Sequence, residues 1–130
     1  LVPTGKLITE LNFSLQVDYI HATRYRGETS GGDLHWLATP QHEIRDRVLL
    51  IIDDILDEGV TLQQILEYCN EQGAKEIYTA VLGEKLHDRK SGLEHADFTG
   101  LQVEDRYVFG YGMDYKGFLR NAPGIYAVKE

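Results

Sequence analysis

Cysteine is nearly absent from this chain. Cys69 stands alone among 130 residues, so no internal disulfide can form, and its place on the apolar side of a helical pattern marks it for core packing. Histidines are few, at five, and no two of them stand three or four apart, a pattern that argues against zinc. No apolar run approaches the ~20 residues needed to cross a bilayer, and no basic-then-apolar leader opens the chain. A membrane role is therefore not expected, and a cytoplasmic location is. Basic residues are also scarce: 13 Lys and Arg face 21 Asp and Glu, for a net charge of −8. That balance excludes a nucleic-acid groove, whose affinity rests on clustered cations, and favours a small-molecule substrate. The sequon Asn12-Phe13-Ser14 has no other sign of secretion beside it. Internal repeats and low-complexity segments are missing as well.

What remains has the composition of an ordinary globular protein, 42% hydrophobic and 26% charged, and is long enough for one domain with its own core. The chain opens on Leu1 in the middle of what reads as an element, and is expected to be a truncated, processed or incompletely recorded form.

The densest chemistry lies in Val48-Leu49-Leu50-Ile51-Ile52-Asp53-Asp54-Ile55-Leu56-Asp57-Glu58-Gly59-Val60-Thr61. The run Val48 to Ile52 shows no polar alternation, as expected of a strand buried on both faces of a parallel sheet. From Thr61 onward Leu62, Ile65, Leu66 and Cys69 recur at helical spacing, and Gly73 supplies a stop. The segment reads as strand, ligand loop, helix, with the helix starting at Val60 or Thr61. Free N–H groups of its first turn and of the turn 57–61 would hold a phosphate. Asp53, Asp54, Asp57 and Glu58 would repel a bare phosphate. Carboxylates suit such a site if they accept from sugar hydroxyls, hold a divalent cation, or act as a base. The plainer alternative is a βα corner whose acids are solvated or cap the helix.

Elsewhere, Pro3-Thr4-Gly5 reads as a turn, Leu7 to Leu11 as a short helix or helix end, and Leu15 to Ala22 as a strand. Thr23 to Pro40 reads as a mobile loop or long hairpin turning at Gly31-Gly32, with Trp36 on the returning arm. Glu76 to Leu82 repeats the strand pattern and completes a parallel βαβ unit, with Lys85 just past its carboxyl end, where ligands of open α/β sheets gather. Ala96 to Leu101, Tyr107 to Tyr111 and Gly124 to Val128 read as further short strands, and Phe118 to Asn121 as a turn. Gly110-Tyr111-Gly112 is glycine-rich but lacks the third glycine of a dinucleotide fingerprint.

The acidic string resembles the phosphoribosyl pyrophosphate (PRPP) signature of type I phosphoribosyltransferases. Together with Lys85, the string Val103-Glu104-Asp105-Arg106-Tyr107-Val108-Phe109-Gly110-Tyr111-Gly112-Met113-Asp114-Tyr115 and the following Phe118-Leu119-Arg120, it resembles the hypoxanthine-guanine branch. The resemblance implies an α/β fold of the type I phosphoribosyltransferase kind: a mostly parallel twisted sheet flanked by helices, with a flexible lid hairpin. It further implies one domain over 1–130 that lacks the family's N-terminal strand and helix. The implied reaction joins a 6-oxopurine, hypoxanthine or guanine, to PRPP and gives IMP or GMP and pyrophosphate, in purine salvage with Mg²⁺. A homodimer or homotetramer is implied too. Two alternatives stay open, a non-catalytic PRPP- or nucleotide-sensing regulator and an enzyme preferring xanthine.

Carried over residue by residue, the resemblance assigns Asp53 and Asp54 to the ribose hydroxyls, directly and through magnesium waters. It assigns Asp57, Glu58, Gly59, Val60 and Thr61 to the 5′-phosphate loop, with Asp57 also the general acid/base beside purine N7. Lys85 is implied as donor to the 6-oxo group, Tyr107 as the ring stacked on the purine, and Val108 as a source of backbone contacts to its edge. Asp114, implied among the purine-binding residues as well, would ligate Mg²⁺ on the pyrophosphate side, and Arg120 would contact pyrophosphate. Thr4 and Gly5 match an upstream pyrophosphate loop, and Arg24-Tyr25 stands in the lid where many relatives carry Ser-Tyr.

Overall fold

The computed structural model describes residues 1–24 and 34–129. The chain opens with helix α1 (Val2–Leu7), continued by a single 3₁₀ turn, Ile8–Glu10. An extended segment follows without strand pairing, and then come β1 (His21–Arg24) and β2 (Leu34–Ala38), an antiparallel pair. Next are β3 (Val48–Leu56), helix α2 (Val60–Glu71), β4 (Glu76–Leu86) and β5 (Phe98–Glu104). These three strands form one parallel sheet in the order β3-β4-β5, and α2 is the crossover between the first two. A small antiparallel pair, β6 (Val108–Phe109) and β7 (Tyr126–Ala127), closes the chain.

The apolar spacing of α2 explains where the core lies. Its Ile65 and Cys69 pack with Ile44 and with Leu49, Ile51 and Ile77 from odd-numbered positions of β3 and β4, while Leu62 packs with Leu56 and Val81. Each such aliphatic side chain contributes about 1.5–3 kcal/mol by leaving water. Cys69 is fully buried and free, in keeping with its expected packing role. Trp36 on β2 joins this layer by stacking on Tyr68 of α2, ring centroids 4.7 Å apart. The opposite face of the sheet carries Val48, Leu50, Tyr78 and Phe98, all exposed. Helix α2 ends as expected: Gly73 adopts φ 89°, a left-handed conformation that a side chain disfavours.

Several elements differ from expectation. Pro3, Thr4 and Gly5 are not a turn or loop but the body of α1, because proline in a first helical turn sacrifices no hydrogen bond. The expected strand over Leu15 to Ala22 is confined to its last two residues, His21 and Ala22. The Asp18 carboxylate instead accepts from the backbone N–H groups of Tyr19, Gln41 and His42, so the segment is anchored by a side chain and not by a ladder. These bonds, the Gln41 N–H first, hold Asp18 well below the usual carboxylate range. Strand β3 runs past Ile52 through both acids to Leu56, β4 runs past Leu82 to Leu86 so that Lys85 lies inside the strand and not beyond its end, and β5 extends to Glu104. The strand expected over Tyr107 to Tyr111 pairs only at Val108–Phe109, because Gly110 (φ 92°) and Tyr111 (φ 53°) turn the chain away. The turn expected at Gly31-Gly32 lies outside the described residues; β1 and β2, on either side of that segment in sequence, pair with each other. No helix among the described residues is long and apolar enough to cross a membrane.

Candidate active site

Parallel strands deliver their following loops to one edge of a sheet, and here charged and aromatic side chains gather at that edge. A cleft of about 180 Å³ opens there, lined by Asp54 of β3, Lys85 of β4, Tyr107, Val108, Asp114 and Arg120. All six were expected from sequence to touch ligand. Ile55 and the buried Met113 complete the lining.

Asp57 joins this group through Lys85. Its Oδ2 lies 3.2 Å from Lys85 Nζ, and its Oδ1 lies 2.7 Å from His87 Nε2. Burial alone would raise the Asp57 carboxyl, but the hydrogen bonds from His87 and Lys85 outweigh it and hold the group below its ordinary value. Asp57 is therefore a carboxylate at neutral pH, in the form that accepts a proton.

Asp114 and Arg120 come from a loop folded on itself. Gly110 and Met113 exchange backbone hydrogen bonds, the Gly112 N–H donates to the Arg120 carbonyl, and Arg120 Nη1 donates back to the Gly112 carbonyl. Asp114 accepts the Gly117 N–H on Oδ2, at 2.8 Å, and faces Arg120 Nη2 across 3.7 Å on Oδ1. Tyr107 donates its hydroxyl to the Asp114 carbonyl, and Tyr115 meets it edge-on at 5.8 Å. Its half-exposed ring keeps surface free for a flat ligand.

Strand alternation separates the acid pair. Asp54 reaches the cleft, whereas Asp53, on the other face of β3, is not among the lining residues. Burial first, then the adjacent Asp54 charge, pushes the Asp53 carboxyl up to about 7.

The turn 57–61 leads into α2 with Gly59 at φ 84°. What approaches Gly59 closely is protein backbone: the Leu93 N–H bonds the Gly59 carbonyl, and the Ser91 and Gly92 N–H groups bond the Glu58 carbonyl. A Cβ on Gly59 would overlap the Leu93 carbonyl. The glycine thus serves first to seat the 91–93 loop. Val60 and Thr61 occupy the first turn of α2, where N–H groups lack intrahelical acceptors. Thr4 and Gly5 are absent from the cleft lining; α1 instead reaches the 110–112 loop, with Lys6 Nζ 5.2 Å from the Tyr111 ring. Arg24 ends β1 by pairing with Leu34, and Tyr25 lies outside the described residues.

With this geometry in place, the family can be assigned. The profile described as phosphoribosyl transferase domain matches residues 1–116. The chain belongs to the phosphoribosyltransferase family. It is 35% identical over 124 residues to the hypoxanthine-guanine phosphoribosyltransferase of Bacillus subtilis, a match covering 95% of this chain and 68% of the relative. The hypoxanthine-guanine-xanthine phosphoribosyltransferase of Tritrichomonas foetus is 33% identical over the same shares of the two chains. Among solved structures, a hypoxanthine phosphoribosyltransferase from Staphylococcus aureus superposes with a TM-score of 0.91 at 29% identity, covering 98% of this chain and 70% of that one.

Two residues of this phosphoribosyltransferase site were not anticipated. His87 follows β4 directly, in the bend after Leu86, and bonds Asp57, so its closeness to Lys85 in sequence was the one signal that pointed to it. Arg89 bridges the acids around the turn, 2.6 Å from Asp105 and 3.9 Å from Glu58. Glu58 therefore acquires a cationic neighbour that the acidic string alone could not supply. Asp57, His87 and Asp105 bring potential metal-binding atoms within 4.8 Å of one another, but Lys85 and Arg89 already supply cations to this group.

Proposed function

We propose that this phosphoribosyltransferase transfers the 5-phosphoribosyl group of PRPP to the 6-oxopurines hypoxanthine and guanine, releasing pyrophosphate, in purine salvage. The observation that carries this reading is the Asp57–Lys85 pair at 3.2 Å beside a cleft that also presents Tyr107, Asp114 and Arg120. A 6-oxopurine offers an acceptor oxygen next to N7, and a lysine donor beside a carboxylate acceptor complements both atoms. In this reading Lys85 Nζ donates to the 6-oxo group, Asp57 exchanges the N7 proton, and the Tyr107 ring stacks on the base. The first turn of α2, with the Thr61 hydroxyl, takes the 5′-phosphate, and Arg120 takes pyrophosphate as the C1′ bond breaks.

Mg²⁺ fits the donor set. Asp54 and Asp114 bring hard carboxylate oxygens to one cleft, and Asp114 Oδ1 keeps 3.7 Å from Arg120. Asp114 would hold the ion on the pyrophosphate side and Asp54 through its waters, the metal supplying charge neutralisation for the leaving group, while Asp53, expected from the resemblance to share that task, lies on the other face of β3. A cytoplasmic location, assembly as a homodimer or homotetramer, and closure of the β1–β2 hairpin as a lid belong to the same reading.

The test is nucleotide formation from PRPP and Mg²⁺ with hypoxanthine, guanine, xanthine, adenine and orotate in parallel. Products with hypoxanthine and guanine are expected. Product with adenine or orotate alone, or with no base, would overturn the assignment.

A further inference from the structure

We infer that His87 is a positioning residue that fixes the Asp57 carboxylate for proton exchange, an inference resting on the role proposed above for Asp57. The argument starts at the far side of the ring. His87 Nδ1 accepts the backbone N–H of Arg89 at 3.0 Å. A nitrogen that accepts carries no proton, so the ring proton lies on Nε2. Nε2 is 2.7 Å from Asp57 Oδ1, and the bond therefore runs from imidazole to carboxylate. The His87 side chain is 4% exposed, so packing holds the ring where the backbone has oriented it.

The consequence is a division of labour on one carboxylate. Oδ1 is claimed by a ring that cannot rotate, and Oδ2 is left with Lys85. A carboxylate on a short side chain turns freely about its last torsion unless a second group holds one oxygen. With His87 in place, Asp57 presents its remaining lone pairs in one orientation while Lys85 moves between the carboxylate and a ligand. The arrangement follows the logic of a catalytic base oriented by a third group. Here the orienting residue follows Lys85 at the exit of β4, and the Arg89 amide that sets its tautomer lies in the same short turn.

The test combines kinetics with spectroscopy on the full chain. With hypoxanthine, PRPP and Mg²⁺, His87→Ala should lower kcat about 10- to 100-fold, the scale of a misplaced catalytic group, and leave the PRPP KM within about threefold. His87→Gln, whose amide N–H can reach the Nε2 position, should recover most of the lost turnover. In the unmodified protein, ¹⁵N NMR of the His87 ring should show the Nε2–H tautomer, a readout independent of activity. An Nδ1–H tautomer, or unchanged kcat in His87→Ala, would overturn the inference. Asp57→Asn separates the two levels. If it is impaired while His87→Ala is not, only positioning fails; if it keeps full turnover, the role of Asp57 fails and the inference falls with it.

Discussion

Lys85 and Asp57 stand together at the cleft, and each depends on a neighbour. Lys85, 15% exposed, is paired to Asp57, and Asp57 stays ionised because two donors oppose its burial. Since Lys85 is proposed to meet the purine and not the phosphates, Lys85→Ala should raise the KM for hypoxanthine tenfold or more and leave that for PRPP nearly unchanged. Equal weakening of both, in steady-state kinetics, would contradict its role. Asp53 yields a prediction with a definite pH window. Its carboxyl is raised from 3.8 to about 7, so the folded state holds the proton more tightly than the unfolded state does. The stability linked to that proton is complete below the ordinary value and is lost as pH rises through the raised one. Asp53→Asn keeps an oxygen for the Asp54 N–H and removes the titration. With Mg²⁺ chelated, urea unfolding should show it more stable than the parent at pH 8, by about 1–2 kcal/mol, with the gain gone near pH 4. A less stable variant at pH 8 would refute this account of Asp53. Asp57, Lys85 and Asp114 were named in the sequence through the resemblance, and the structure brings Asp57 to Lys85 and sets Lys85 and Asp114 in one cleft. His87 was not, because a lone histidine was weighed only as a zinc ligand.

At the level of elements, the βαβ unit was readable from the unbroken apolar run Val48 to Ile52 and the helical spacing of α2, although the run was expected to be buried on both faces and Val48 and Leu50 leave one face of β3 exposed. Leu15 to Ala22 was not, since alternation does not reveal that Asp18 will satisfy the backbone of residues 41 and 42 across the chain. Thr4 and Gly5 misled in the other direction: Pro3-Thr4-Gly5 has turn composition, but proline is equally at home in a helix's first turn. The contact between the 57–61 turn and the 91–93 loop was also invisible, being made by backbone atoms of Glu58, Gly59, Gly92 and Leu93. Gly59→Ala tests it. The variant meets both a left-handed φ, costing about 1–2 kcal/mol, and overlap with the Leu93 carbonyl, so its thermal midpoint should fall by about 5 °C or more. An unchanged midpoint would mean that the two loops are not locked together.

Over the whole molecule, a net charge of −8 is carried by a protein whose proposed substrate is itself a polyanion. The structure offsets that tension locally: Lys85 and Arg120 line the cleft, Arg89 lies 3.9 Å from Glu58 of the adjoining turn, and the first turn of α2 starts at the same edge. The α/β class and the parallel β3-α2-β4 unit agree with the sequence expectation, since one crossover helix of fixed polarity leaves little choice; the parallel place of β5 beside β4, reached without a helix, was not legible. The central claim is that this edge joins a 6-oxopurine to PRPP with Asp57 as the proton acceptor. It is tested most directly by measuring IMP formation from hypoxanthine and PRPP by the unmodified chain and by Asp57→Asn. The account predicts turnover in the former and a loss of about 100-fold or more in kcat in the latter, with the PRPP KM within about threefold. Equal turnover by the two proteins would contradict it.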